Sequence, residues 1–253
     1  MSNPSKVIPL DNRDEQKMRV DLAAALRLAA RADWHEGVAN HFSAAVSPDG
    51  SKFLVNPRWR HLSRVKASEL LLVDANDPST MDLPDAPDPS VWAIHSAIHR
   101  LVPNARVILH LHPPYATTLA TLKDSSIKPI DQVTARFFNR IATDHSFGGI
   151  ASDVAEGERI ASTIGNHSVL MMNNHGATTL ASSVAEAFDA MYHLERAART
   201  QVLAYSTGQP LNIMNDQLAE ETAAEWEAYK DAEFSHFEEM KQILDAEDPD
   251  FRD

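Results

Sequence analysis

The chain contains no cysteine. That absence removes disulfides, thiolate metal ligands and cysteine nucleophiles together, and it fits a reducing compartment. No apolar run reaches the roughly 18 residues needed to cross a bilayer, and Met1 to Arg13 is polar with no apolar signal core. A cytoplasmic protein with no membrane partner is expected. Lys and Arg form no cluster and the formal net charge is −13, so no nucleic-acid partner is expected. A Gly-x-Gly-x-x-Gly or Walker sequence is missing, which disfavours nucleotide binding by those devices. Nothing reads as an internal repeat or a Gly/Ser- or Pro-rich linker, so the 253 residues form one unit.

What is present is ordinary globular composition, 43% hydrophobic and 23% charged, enough for a substantial core. We expect a disordered tail over residues 1–13, a main domain over 14–215 and an acidic helical extension over 216–253. Most of the net acidity lies between Glu220 and Asp253, which reads as a solvated helix or pair ending in a frayed Asp-Pro-Asp terminus.

Helical spacing of apolar residues predicts an opening helix over Glu15–Ala32 and later ones over Ser90–Leu101, Tyr115–Leu122, Val154–Gly165 and Ser183–Tyr205. Strands are expected at His41–Val46 and Lys52–Val55, joined by the hairpin chemistry of Ser47-Pro48-Asp49-Gly50. Further strands fall at Leu70–Val73, Arg106–Leu109, Val169–Met172 and Ala177–Leu180. Strands between helices, with an early hairpin, imply a layered α/β domain whose sheet is antiparallel or mixed.

Chemistry concentrates where apolar runs end. Val107-Ile108-Leu109-His110-Leu111-His112-Pro113-Pro114-Tyr115 closes on two histidines one residue apart, which share a face in a strand. Val169-Leu170-Met171-Met172-Asn173-Asn174-His175-Gly176 empties into a turn carrying a third. Three neutral nitrogen ligands with an open position make a Lewis-acid site, so His110, His112 and His175 are the candidate metal ligands. Zinc is expected, with manganese and iron as alternatives, because a three-imidazole site accepts all of them. His95 and His99 lie four residues apart on one helix face and also have metal spacing.

In this order and spacing the chain resembles the class II aldolase/adducin family. The segments that carry the resemblance are Gly37-Val38-Ala39-Asn40-His41-Phe42-Ser43, Phe53-Leu54-Val55-Asn56-Pro57, Ser68–Asp74, Pro103–Thr117, and Asn173-Asn174-His175-Gly176 followed by Ala185-Glu186-Ala187-Phe188-Asp189. The resemblance implies a three-layer α/β/α sandwich with a mixed, mainly antiparallel sheet. It also implies a homotetramer with sites between subunits, and a divalent metal on His110, His112 and His175.

Sugar-phosphate aldolases of that family carry a glutamate in a Pro-Ser-Ser-Glu stretch, which acts as acid/base and as a resting metal ligand. Here Asp88-Pro89-Ser90-Val91-Trp92 places Val91 at that position, and valine can neither take a proton nor bind a metal. Those aldolases grip phosphate with Asn, a small residue beside Gly, and two serines. This chain keeps Asn40 and Ser90 but has Pro57-Arg58-Trp59 and Pro89 where small residues are expected. Arg58 suits a carboxylate clamp and Trp59 suits stacking on a flat or apolar group.

The remaining candidates keep two readings each. His95, one turn after the missing glutamate, is expected to be catalytic, as a replacement acid/base or as a partner that orients the site. His99 faces a neighbouring layer or solvent. His41 and Tyr115 are expected to bind substrate, against structural readings as a strand residue and a packing aromatic. Arg136–Arg140 with Asp144–Gly149 is either an interface loop reaching a neighbour's site or an exposed strand-turn.

The expected function is a divalent-metal-dependent lyase, a decarboxylase or aldolase-like enzyme. It would act on a small non-phosphorylated oxo- or hydroxy-acid through a metal-stabilised enolate. A non-haem iron oxygenase and an adducin-like binding module are the alternatives.

Overall fold

The computed structural model describes residues 12–82, 86–149, 153–229 and 231–253. Its elements run α1 (Asn12–Arg31), β1 (His41–Ala45), β2 (Lys52–Val55), β3 (Leu71–Asp74), α2 (Pro89–Leu101), β4 (Val107–Leu111), α3 (Pro114–Ala120), α4 (Gln132–Ala135) and β5 (Ile141–Asp144). After these come α5 (Val154–Ile164), β6 (Val169–Met172), β7 (Gly176–Ala181), α6 (Val184–Ser206), α7 (Asp216–Ala228) and α8 (Ala232–Glu247). The sheet order is β3-β2-β1-β4-β7-β6-β5, and only β5 and β6 pair in parallel.

Strand alternation builds the layers. Val107, Leu109 and Leu111 of β4 join a core with α1, α3, α6 and α8, while Ile108 joins α2 and α5 on the opposite face. Helices therefore cover both faces, giving an α/β/α sandwich. On the second face α2 and α5 touch backbone to backbone: a Cβ on Gly157 would sit 2.0 Å from the Ala93 carbonyl oxygen, so only glycine fits. Helix α2 starts sharply because Asp88 accepts from Ser90 N and Pro89 occupies the first turn.

Two expectations change. The segment after Arg136 contains β5, which adds to the sheet edge beside β6. The acidic terminus is not frayed: Arg27, 4% exposed, pairs with Asp248 at 2.6 Å and with Asp250. Phe251 is buried in the main core and Ser68 N donates to the Asp253 carbonyl at 2.8 Å. A guanidinium carried by α1 and buried must be paired, and the tail supplies the carboxylates. Of the expected N-terminal tail, residues 1–11 lie outside the described residues, and α1 begins at Asn12. Among the described residues no helix is long and apolar enough to cross a membrane.

Candidate functional site

His110, His112 and His175 converge, with one ligand atom from each lying within 4.8 Å of the others. Strand β4 delivers His110 opposite His41 of β1 and opposite Thr178 of β7. His175 sits in the tight β6–β7 turn, and the turn comes close enough only because Gly176 follows it. A Cβ there would meet His112 Cδ2 and the Leu111 carbonyl oxygen at 2.5 Å.

Hydrogen bonds behind the ligands set their tautomers. Thr178 Oγ1 is 3.6 Å from Met172 Sδ and 3.1 Å from His110 Nδ1, so with its hydroxyl proton directed at the sulfur it accepts from His110. Glu36 Oε2 lies 3.3 Å from His112 Nδ1, so that nitrogen carries the proton as well. Both Nε2 lone pairs then face each other across 3.2 Å. Two bare nitrogens at that distance repel unless a cation lies between them, so the donor set fits a divalent metal. Burial keeps His110 and His175 neutral: it pushes His110 well below the ordinary value and lowers His175 to about 4.

The centre opens into a cavity of about 580 Å³. Its wall carries Arg58, paired through Nε with Asp88 Oδ2 at 3.2 Å and lying over the Trp59 ring at 4.4 Å. Trp59 is 66% exposed at the mouth and holds a left-handed backbone, φ 62°, which is strained for a bulky residue. Asn40, also left-handed at φ 75°, accepts from Glu36 N through Oδ1, while its buried Nδ2 has no partner. Thr117 Oγ1 on the same wall is likewise buried and unpartnered. On a cavity wall such atoms can meet a water or a ligand group. Val91, 1% exposed, lies between the cavity and a cluster of Ala45, Phe53, Val55 and Val73, so the position of the family glutamate belongs to an apolar wall.

The structure brings Asn40, His41, Arg58 and Ser90 to this cavity with the three metal candidates. His95 does not reach it: the side chain is fully buried behind His41, whose Nδ1 is 2.8 Å from His95 Nε2. His95 therefore stands off the cavity wall as a partner of His41, the second of its two expected readings, and not where it could touch a substrate directly. Tyr115 is also displaced from the expected role. Its backbone N–H, with that of Ala116, is held by the Glu195 carboxylate, and its ring lies under Arg199 on the α6 side. His99 turns inward to Ser43 and the Ala105 carbonyl, so the solvent alternative is wrong. Phe147 and Gly149 line this chain's own cavity, while Arg136 and Arg140 pair with Asp189 and Glu220 of the same chain.

Sequence reasoning missed Asp88, Glu36, Thr117 and Ser43. Asp88 before Pro89 was legible as a helix cap, but its second role as the partner of Arg58 comes only from the fold.

Fold and site together define an α/β/α domain in which three histidines that could hold a metal ion converge at one cavity. The class II aldolase and adducin N-terminal domain model matches residues 20–202, and the chain belongs to that family. A Caulobacter vibrioides protein provisionally named an aldolase class 2 protein is 31% identical over 82% of this chain and 80% of its own length. The decarboxylase NovR of Streptomyces niveus is 26% identical over 76% of this chain and 71% of its own. A Streptomyces roseochromogenus protein named 4-hydroxy-3-prenylphenylpyruvate oxygenase/4-hydroxy-3-prenylbenzoate synthase is 25% identical over 74% and 67%. Among solved structures, an aldolase II superfamily protein from Pseudomonas syringae superposes with TM-score 0.85 at 31% identity, covering 98% of both chains. An L-fuculose 1-phosphate aldolase from Glaciozyma antarctica shares the fold, with TM-score 0.82 at 20% identity over 100% of this chain and 97% of its own.

Proposed function

We propose that the chain is a divalent-metal-dependent carbon–carbon lyase acting on a small non-phosphorylated oxo- or hydroxy-acid. The observation that carries this reading is one cavity that joins a three-imidazole centre to a guanidinium, Arg58, with Val91 in place of the family's glutamate. A divalent ion on His110, His112 and His175, zinc first and manganese or iron as alternatives, would polarise a substrate carbonyl and draw off charge as a carbon–carbon bond breaks. Arg58 binds a carboxylate, held in place by Asp88 and Trp59. Trp59, Phe147, Val91 and Ile94 give the cavity flat and apolar walls, which suit a carbon skeleton better than a phosphate.

Decarboxylation fits these residues better than aldol cleavage. The bond to the leaving carboxylate breaks, carbon dioxide departs, the electron pair stays on the substrate, and a proton then adds at carbon. No base is needed to begin, so the loss of the glutamate at position 91 is tolerated. The relative named as a decarboxylase supports this choice.

A second reading, oxygenation on ferrous iron, is favoured by the relative named as an oxygenase, and a three-imidazole donor set can accept iron as well as zinc. We further propose a homotetramer, supported by the exposed aromatics Trp59 and Phe147 at the cavity mouth. Sedimentation would show it.

The functional test is a screen of metal-loaded protein against oxo-acids, hydroxy-acids, hydroxybenzoates and sugar phosphates, following carbon dioxide release, carbon–carbon cleavage and oxygen uptake. Turnover of a non-phosphorylated acid without oxygen uptake is expected. A sugar phosphate turned over at a competitive rate would contradict the non-phosphorylated acid as substrate, and iron-dependent oxygen uptake would replace the lyase reading with the second.

A further inference from the structure

A run of hydrogen bonds leads from the cavity wall into the protein. His41 Nδ1 is 2.8 Å from His95 Nε2, and His95 Nδ1 is 2.5 Å from Ser43 Oγ. Ser43 Oγ is in turn 2.7 Å from His99 Nε2, and His99 Nδ1 is 2.8 Å from the Ala105 carbonyl oxygen. The spacing of two elements makes this run. His41 and Ser43 share one face of β1, His95 and His99 share one face of α2, and the two pairs interleave.

The far end fixes the direction of every bond. A carbonyl oxygen can only accept, so His99 Nδ1 carries the hydrogen, and a neutral imidazole then has a bare Nε2. Ser43 donates its one hydrogen to that Nε2, which leaves its oxygen to accept from His95 Nδ1. His95 Nε2 is therefore bare and accepts from His41 Nδ1, and the last lone pair, on His41 Nε2, faces the cavity. His95 and His99 are buried and meet only neutral partners in this run, which keeps them uncharged.

Ser90 Oγ lies 3.1 Å from that cavity-side nitrogen and 2.7 Å from Asp88 Oδ1, with one hydrogen for the two acceptors. Asp88 also receives Ser90 N–H at 3.0 Å and Arg58 at 3.2 Å, so it keeps partners whichever way the hydroxyl turns. A ligand donor arriving at His41 Nε2 can thus displace Ser90 onto Asp88 with no bond lost. The His41 ring stands 5.1 Å from that of His110, beside the metal candidates.

We propose that the buried run anchored on the Ala105 carbonyl locks His41 as a hydrogen-bond acceptor toward the cavity, and that this acceptor selects substrates offering a hydroxyl hydrogen beside the metal centre. The substrate half rests on the hydroxy-acid reading above, whereas the hydrogen positions do not depend on it.

Neutron diffraction from deuterium-exchanged, metal-free protein tests the hydrogens directly. Deuterium is expected on Nδ1 of His41, His95 and His99 and on Ser43 Oγ facing His99. Deuterium on His41 Nε2 with Nδ1 bare would overturn the proposal. Calorimetry with zinc-loaded protein tests the selection, using glycolate and methoxyacetate as probes. Glycolate is expected to bind at least about tenfold more tightly, the worth of the one hydrogen bond gained when its hydroxyl donates to His41 and Ser90 donates to Asp88. His99→Gln, whose amide can accept from Ser43 and donate to Ala105, keeps that preference, and His99→Leu loses it. Equal binding of the two probes, or a preference unchanged in His99→Leu, would overturn the selection. If neither probe binds, the selection and the hydroxy-acid reading both fall, while the neutron map still decides the hydrogen run.

Discussion

Arg58 shows how much one residue carries at this site. Its guanidinium is stacked on Trp59 and paired with Asp88, so lysine would keep the charge and lose both the fork and the stacking. Arg58→Lys is expected to raise KM for the acid substrate about tenfold or more with little change in kcat, since binding is lost equally in ground and transition states. Steady-state kinetics on the substrate found in the screen reads this, and an unchanged KM would remove Arg58 from recognition. Residue identity was most legible where the chemistry is carried by type and spacing: His110, His112 and His175 could be read from two strand ends. Asp88, Glu36 and Ser43 could not, because each acts through a neighbour on another element. His95 and Tyr115 were assigned to the cavity from their positions in the chain, but burial behind His41 and packing against α6 decide where they act.

At the scale of elements, the β4–β7 pair and the turn between β6 and β7 set the geometry of the three candidate metal ligands. Gly176→Ala would push a Cβ against His112 Cδ2 and the Leu111 carbonyl, forcing the turn away from β4. Metal affinity is expected to fall about tenfold or more, as when supports behind metal ligands are lost. Competition against a chromogenic chelator measures it, and wild-type affinity in the variant would show that the turn has slack. Most elements followed from periodicity, including β1, β2, β4, β6 and the long α6. Strand β5 escaped because Ile141-Ala142-Thr143-Asp144 is short and ends in an aspartate, whose burial is explained by its pair with Arg159 and the N–H of Ser146. The terminal Asp-Pro-Asp was misread for a similar reason: its partner, Arg27, lies at the other end of the chain.

For the whole molecule, the buried histidines couple stability to pH. Burial lowers His41, His99 and His175 to about 4 and holds His95 and His110 well below the ordinary 6.5. The unfolded chain takes a proton at each of these groups near pH 6.5 while the folded chain refuses it. The stability is therefore fully present above about pH 6.5 and is lost as pH falls toward about 4, by up to about 1.4 kcal/mol per pH unit for each histidine. Denaturant midpoints of metal-free protein are expected to fall steeply between about pH 7.5 and about pH 5 with an unchanged slope. A flat profile would show that the histidine interior opens to water. The family and the layered fold were readable from the order of motifs, whereas the direction of the hydrogen-bonded run beneath His41 needed the packing of β1 against α2.

The most direct test of the central claim is equilibrium binding of zinc, manganese and ferrous iron to chelator-stripped protein, with His175→Ala alongside. About one divalent ion per chain is expected in the wild type, with a loss of at least about tenfold in affinity for the variant. No uptake of any of the three ions, or equal uptake by the variant, would contradict that claim.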